Sequence, residues 1–163
     1  MLNEQNDRLF EIDSESELRN YEIFQFLGSE LQYSRKFYKA EIGGKIVGIL
    51  NGGHGIKPQI EKIFDGLYII STDMNIYLFN VQLQKIIDRK LDSIIYKIHI
   101  HSTGVIVACE LDFYSLDLLN LNINWHTPFP SIITDFNIDQ ERIQIVTDGC
   151  VKYLIDLSNG NFC

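Results

Sequence analysis

The feature that most constrains this chain is a repeat. Three segments, Leu67-Tyr-Ile-Ile-Ser-Thr-Asp, Val105-Ile-Val-Ala-Cys-Glu-Leu and Ile143-Gln-Ile-Val-Thr-Asp-Gly, begin 38 residues apart and then 38 again. Each is followed by a second run, Ile76-Tyr-Leu-Phe-Asn-Val, Phe113-Tyr-Ser-Leu-Asp-Leu or Lys152-Tyr-Leu-Ile-Asp-Leu, at spacings of 37 and 39. Tyr77, Tyr114 and Tyr153 thereby hold one equivalent position. Short polar turns come next, Gln82-Leu-Gln, Asn120-Leu-Asn and Ser158-Asn-Gly, each leading to a third run opened by Lys85, Ile123 or Asn161. A fourth run precedes the unit, clearest in Ile94-Ile-Tyr-Lys-Ile-His-Ile and Ile132-Ile-Thr-Asp-Phe-Asn-Ile.

Alternation at period 2, with β-branched and aromatic residues, suits a pleated and half-buried face. Four such runs per 38 residues, joined by short turns, describe a four-stranded antiparallel meander. The expected fold is all-β, with about three propeller-like meanders over residues 59–163. A run ending in Leu-Asp, then a turn and an aromatic such as Trp125, resembles the blades of quinoprotein-type (PQQ-repeat) or WD-repeat β-propellers over about residues 60–163. Gly, usual in that turn in those families, is Asn120 in the middle unit and appears as Gly160 in the last. In such families the loop edge commonly receives partners, and the resemblance implies the same here.

Three units fall short of the roughly four blades a closed ring needs. Ahead of them, the stretch from Phe37 to Leu50 reads as a β-hairpin turned at Gly43-Gly44 and is a candidate degenerate fourth unit. The chain is expected to be a single domain over 1–163, with 1–58 as an N-terminal segment carrying the hairpin. Residues 14–31 read two ways. Ser14-x-x-Glu17 has the form of a capping box that opens a helix, whereas Tyr21-Glu-Ile-Phe-Gln-Phe-Leu favours a strand.

A net charge of −8 opposes binding to nucleic acid or to an anionic membrane face and favours a basic protein partner. The N-terminus has no basic-then-apolar leader, and no run approaches the length of a membrane span, so the chain is expected to be soluble and cytoplasmic. The three cysteines Cys109, Cys150 and Cys163 show no Cys-x-x-Cys spacing. No metal, no cofactor and no catalysis is expected. His99 and His101 share a strand face without an evident third ligand, His54 sits in a glycine turn, and no Gly-x-Ser-x-Gly elbow is present. Cys109 and Trp125 read as core.

Carboxylates mark the turns between first and second runs: Asp73, then Glu110 and Asp112, then Asp148. In a meander the links between units emerge at the same edge as those turns. That edge would gather Asp88 and Asp92 from one link, and His126 and Phe129 from the proline-bounded other. The expected partner-binding set is therefore Asp73, Asp88, Asp92, Glu110, Asp112, His126, Phe129 and Asp148. The leading expectation is a non-catalytic protein-binding module that engages a basic protein, one concrete version being an immunity protein that neutralises a basic bacterial toxin such as a nuclease. The alternatives are a scaffold or diverged propeller fragment in a larger assembly, and a small-ligand binder or enzyme with a site at the loop rim.

Overall fold

The computed structural model describes residues 8–29, 33–102 and 104–163. The end of the expected 14–31 segment and the residue before Gly104 lie outside them. The fold is all-β. Its elements are β1 (Arg8–Ile12), α1 (Glu15–Leu18), β2 (Gln25–Gly28), β3 (Lys36–Ile42), β4 (Lys45–Asn51), β5 (Gln59–Phe64), β6 (Leu67–Thr72), β7 (Asn75–Asn80) and β8 (Lys85–Lys90), followed by β9 (Ile95–His101), β10 (Gly104–Cys109), β11 (Asp112–Leu116), β12 (Ile123–Pro128), β13 (Ile133–Ile138), β14 (Arg142–Thr147) and β15 (Lys152–Asp156). The chain divides into two compact units, Met1–Asp88 and Arg89–Cys163. The boundary at residue 58 falls between the two sheets of the first unit, the hairpin sheet before it and the first meander after it.

In the first unit, β3 and β4 form the expected hairpin. Ile42 pairs with Lys45 across Gly43-Gly44, and both glycines take positive φ as a two-residue hairpin turn requires. The sheet order is β1-β3-β4-β2, with β2 running parallel to β4. This sheet is therefore not a sequential meander. Both readings of residues 14–31 hold in part. The Ser14 side chain accepts from Glu17 N at 3.1 Å and opens a single helical turn, after which Phe24 N bonds to Ile46 O and the chain enters β2. The second sheet, β5-β6-β7-β8, is a meander in sequence order. Tyr38, Ala40, Ile42, Val47 and Ile49 of the first sheet pack against Tyr68, Ile70, Tyr77 and Phe79 of the second.

In the second unit, β9 to β12 form a four-stranded meander and β13 to β15 a three-stranded one, to which Phe162 adds a bridge opposite Ile155. Ile106, Ala108, Phe113 and Trp125 of the first meander bury against Ile143, Ile145 and Ile155 of the second. Phe129 completes this core, with its ring edge-on to those of Phe113, Tyr153 and Phe162.

The repeat is real in the hydrogen-bond ladders. Tyr77, Tyr114 and Tyr153 stand opposite Ile70, Val107 and Ile145, and two pairs further along Phe79, Leu116 and Ile155 stand opposite Tyr68, Val105 and Ile143. Tyr68, and not Leu67, is therefore the counterpart of Val105 and Ile143, so the first-run spacing is 37 and then 38. β6 is buried at every position and has no alternation to mark its register in sequence.

The turn after each second run is built alike. Asn80, Asp117 and Asp156 each accept, through Oδ1, a backbone N–H two or three residues on, at 2.8–2.9 Å. Each turn then closes on a left-handed residue: Gln84 (φ 51), Leu121 (φ 58) or Gly160 (φ 72). In the middle unit Leu121, and not Asn120, thus occupies the position where the last unit has glycine.

Candidate functional site

One end of the second unit gathers four loops. Glu110 N donates to Ile94 O, Phe129 N to Leu111 O, Ile133 N to Glu110 O and Asp148 N to Ile132 O, all at 2.7–2.8 Å. The β10–β11 turn, the start of β9, the β12–β13 link and the β14–β15 turn are thereby tied by backbone bonds. That is the edge the meander topology predicts.

The polar side chains here are turned on one another. Asp112 is buried, and its Oδ2 accepts from Ser93 Oγ at 2.7 Å while Oδ1 accepts from His126 Nε2 at 2.7 Å. Ser93 Oγ in turn accepts from Leu111 N at 3.3 Å. The His126 ring stacks on that of Tyr114, with centroids 4.3 Å apart and planes within 5°, and the Tyr114 hydroxyl donates to Asp92 Oδ2 at 3.0 Å. Burial first, then the Asp112 charge, pushes the Tyr114 phenol far above its ordinary range. The same two causes act in the same order on Cys109, which stays a protonated thiol.

Serine, histidine and aspartate meet here in the wrong order for nucleophilic catalysis. The carboxylate lies between the hydroxyl and the imidazole, so the imidazole is not positioned to take the serine proton. The arrangement is a clamp that fixes the β10–β11 turn to the start of β9 and to β12.

The structure brings Asp92, Glu110, Asp112, His126, Phe129 and Asp148 to this unit. They do not all face solvent. Asp92 and Asp148 are exposed, Glu110 is half-buried, Asp112 is buried, and Phe129 is 6% exposed and part of the core. Phe129 is thus a core aromatic and no exposed anchor, because the two prolines fold it back onto Phe113. In the first unit, Asp88 is exposed on β8. Asp73 is buried there and accepts from Ser29 Oγ at 2.6 Å and Gly52 N at 2.8 Å. Asp73 and Asp112 therefore serve one device, a serine-to-aspartate tie beneath a turn, once in each unit.

Sequence reasoning missed the solvent-facing residues of this end: Leu111 (38% exposed), Ile132 (43%) and Val151 (47%). The signal was an aliphatic residue inside a turn, between Glu110 and Asp112 and again after Gly149-Cys150. Among the described residues no group of three or more His, Cys, Asp or Glu could hold a metal ion, and no helix is long and apolar enough to cross a membrane. At the other end of this unit a groove of about 410 Å³ is lined by His101, Arg142, Asp156 and Ser158 among others.

No protein-family model matches the sequence, and no curated protein matches it. Among solved structures the chain is similar to an S. cerevisiae assembly of Dbp5 bound to Nup159, Gle1, IP6 and ADP, with TM-score 0.50 and 15% identity over 66% of this chain and 32% of that one. It is also similar to the N-terminal domain of Nup159, with TM-score 0.48 and 13% identity over 66% of this chain and 32% of that one. A third likeness is to BBS1N in complex with ARL6DN, with TM-score 0.47 and 13% identity over 82% of this chain and 47% of that one. The chain spans about a third of the length of the first two and about half of the third. The first likeness shows a shared β-propeller-like fold.

Proposed function

We propose that the chain is a non-catalytic protein-interaction module, acting as a scaffold or β-propeller-like part of a larger assembly. The observation that carries this reading is the clamp. The groups at the loop end with chemistry to offer, Ser93, Asp112, His126 and Tyr114, are held in bonds and stacking within the clamp, while the solvent face of the same end exposes the aliphatic Leu111, Ile132 and Val151. Such a face suits contact with another macromolecule better than turnover of a small substrate. The solved assembly containing Nup159 is a multi-protein one, which lends the reading support by analogy of fold. Quinoprotein-type and WD-repeat propellers are the families that the blades resemble. A toxin-neutralising role is one version of the reading, and the scaffold version is preferred because it needs only what the fold supplies.

The test is reconstitution. The full chain, purified, is mixed with each protein that co-purifies with it from the cells that make it, and the mixture is sized by light scattering. A stoichiometric complex from two purified components is expected. A chain that forms none, yet gains melting temperature with a metabolite, would replace this reading with the small-ligand one.

A further inference from the structure

We infer that the loop end of the second unit is a docking surface for a short basic segment of another protein that carries a large apolar side chain. The inference rests on the protein-interaction reading and names the surface and the chemistry of the partner.

Leu111, Ile132 and Val151 come from three different loops, and each is exposed by more than a third. The backbone bonds from Phe129 to Leu111, from Ile133 to Glu110 and from Asp148 to Ile132 hold those loops together. The patch is therefore preorganised, and little conformational entropy is lost on binding. It is the gathering of three such side chains on loops tied to one another, and not the exposure of any one of them, that marks an interaction surface.

The loops that carry the patch hold formal charge of one sign. Residues 92–94, 110–112, 128–132 and 148–151 include Asp92, Glu110, Asp112 and Asp148 and not one lysine or arginine. Asp112 is satisfied internally by His126 and Ser93, which leaves Asp92, Glu110 and Asp148 to project a negative field around the aliphatic centre. The first positive residue along β15, Lys152, lies just beyond Val151. An apolar centre with an acidic rim complements a peptide in which Lys or Arg flanks Leu, Ile or Phe. Nucleic acid and anionic membrane lack that complementarity, and the net charge of −8 repels both.

The experiment is selection of a random peptide display library on the immobilised full chain, followed by affinity measurement of the enriched peptides on three variants. Enriched sequences are expected to pair Lys or Arg with large apolar residues. Ile132→Asp should weaken them at least tenfold, and the Glu110→Gln/Asp148→Asn double variant should slow association severalfold at low salt while sparing it at high salt. Val81→Ser, in the first unit, should leave binding unchanged. Melting curves of each variant confirm that it folds. Peptides that enrich and bind all variants equally would overturn this surface while leaving the interaction reading standing. Enriched peptides without Lys or Arg would overturn the basic partner, and failure to enrich any peptide would overturn the surface and count against the interaction reading with it.

Discussion

Trp125 and Gly160 fix one another. A Cβ on Gly160 would lie 2.6 Å from Cε3 of the Trp125 ring, and the indole Nε1 donates to Leu157 O at 3.1 Å, three residues before that glycine. Thr127 Oγ1 donates to Gly160 O at 2.6 Å and closes the contact. The turn after β15 is thus pressed onto β12 of the neighbouring meander. The one unit with glycine in this turn is the one whose turn meets the tryptophan.

Gly160→Ala should be among the costliest single-methyl additions in the chain. It meets both a positive φ of 72 and a ring with no room to give, and an effect of about 2–3 kcal/mol is expected. Trp125 is the single tryptophan, so urea unfolding followed by its fluorescence reads the change directly. A midpoint equal to wild type would mean the turn shifts freely off the ring.

The acidic residues should separate into two classes. Asp73→Ala and Asp112→Ala each remove an acceptor from a serine hydroxyl, and from Gly52 N in one case and His126 in the other, and should each cost about 2 kcal/mol. Asp148→Asn, at an exposed turn, should stay within about 0.5 kcal/mol of wild type. Chemical denaturation of the three variants side by side makes the comparison, and similar losses in all three would contradict the clamp.

Gln84→Gly should stabilise the protein by about 0.5 kcal/mol, because Gln84 is exposed and held at a φ of 51, where a Cβ is penalised. The matching change at Leu121 should not, since that side chain is fully buried and its loss outweighs the relieved strain. Thermal melts of both variants give the signs, which are expected to be opposite.

The thiols should react in two classes. Cys150 and Cys163 are exposed, and Cys109 is buried with its pKa driven up, so a thiol reagent at pH 8 should label two sites quickly and the third only on unfolding. The same shifts set an alkaline limit. Cys109 and Tyr114 keep a proton in the native state that the unfolded chain releases. Their contribution is complete below the ordinary thiol pKa of about 8.5, and it is lost progressively as pH rises above that value. Urea midpoints from pH 7 to 10 should fall accordingly, and by less in Cys109→Ala when each is compared with its own pH 7 value.

The sequence by itself determined the all-β class, the antiparallel meanders and the turns, because these depend on interactions within a few residues, although the last meander has three strands and a bridge where four strands were expected. Gly43-Gly44 sets a two-residue hairpin, and Asn80, Asp117 and Asp156 cap their own turns wherever the chain is placed. The gathering of Glu110, Asp148 and the β12–β13 link at one edge was also legible, since an antiparallel meander alternates direction. Tertiary structure alone decided three things. It set the register of β6, a strand buried on both faces whose sequence carries no alternation to read. It laid β2 parallel to β4, because the chain turns through α1 before entering the sheet. It also sorted look-alike residues: Asp112 inward to Ser93 and His126, Asp148 outward to water, Phe129 into the core and Ile132 out of it. Burial depends on which distant segments cover a side chain, and a turn aspartate looks the same in sequence whether or not a serine waits beneath it.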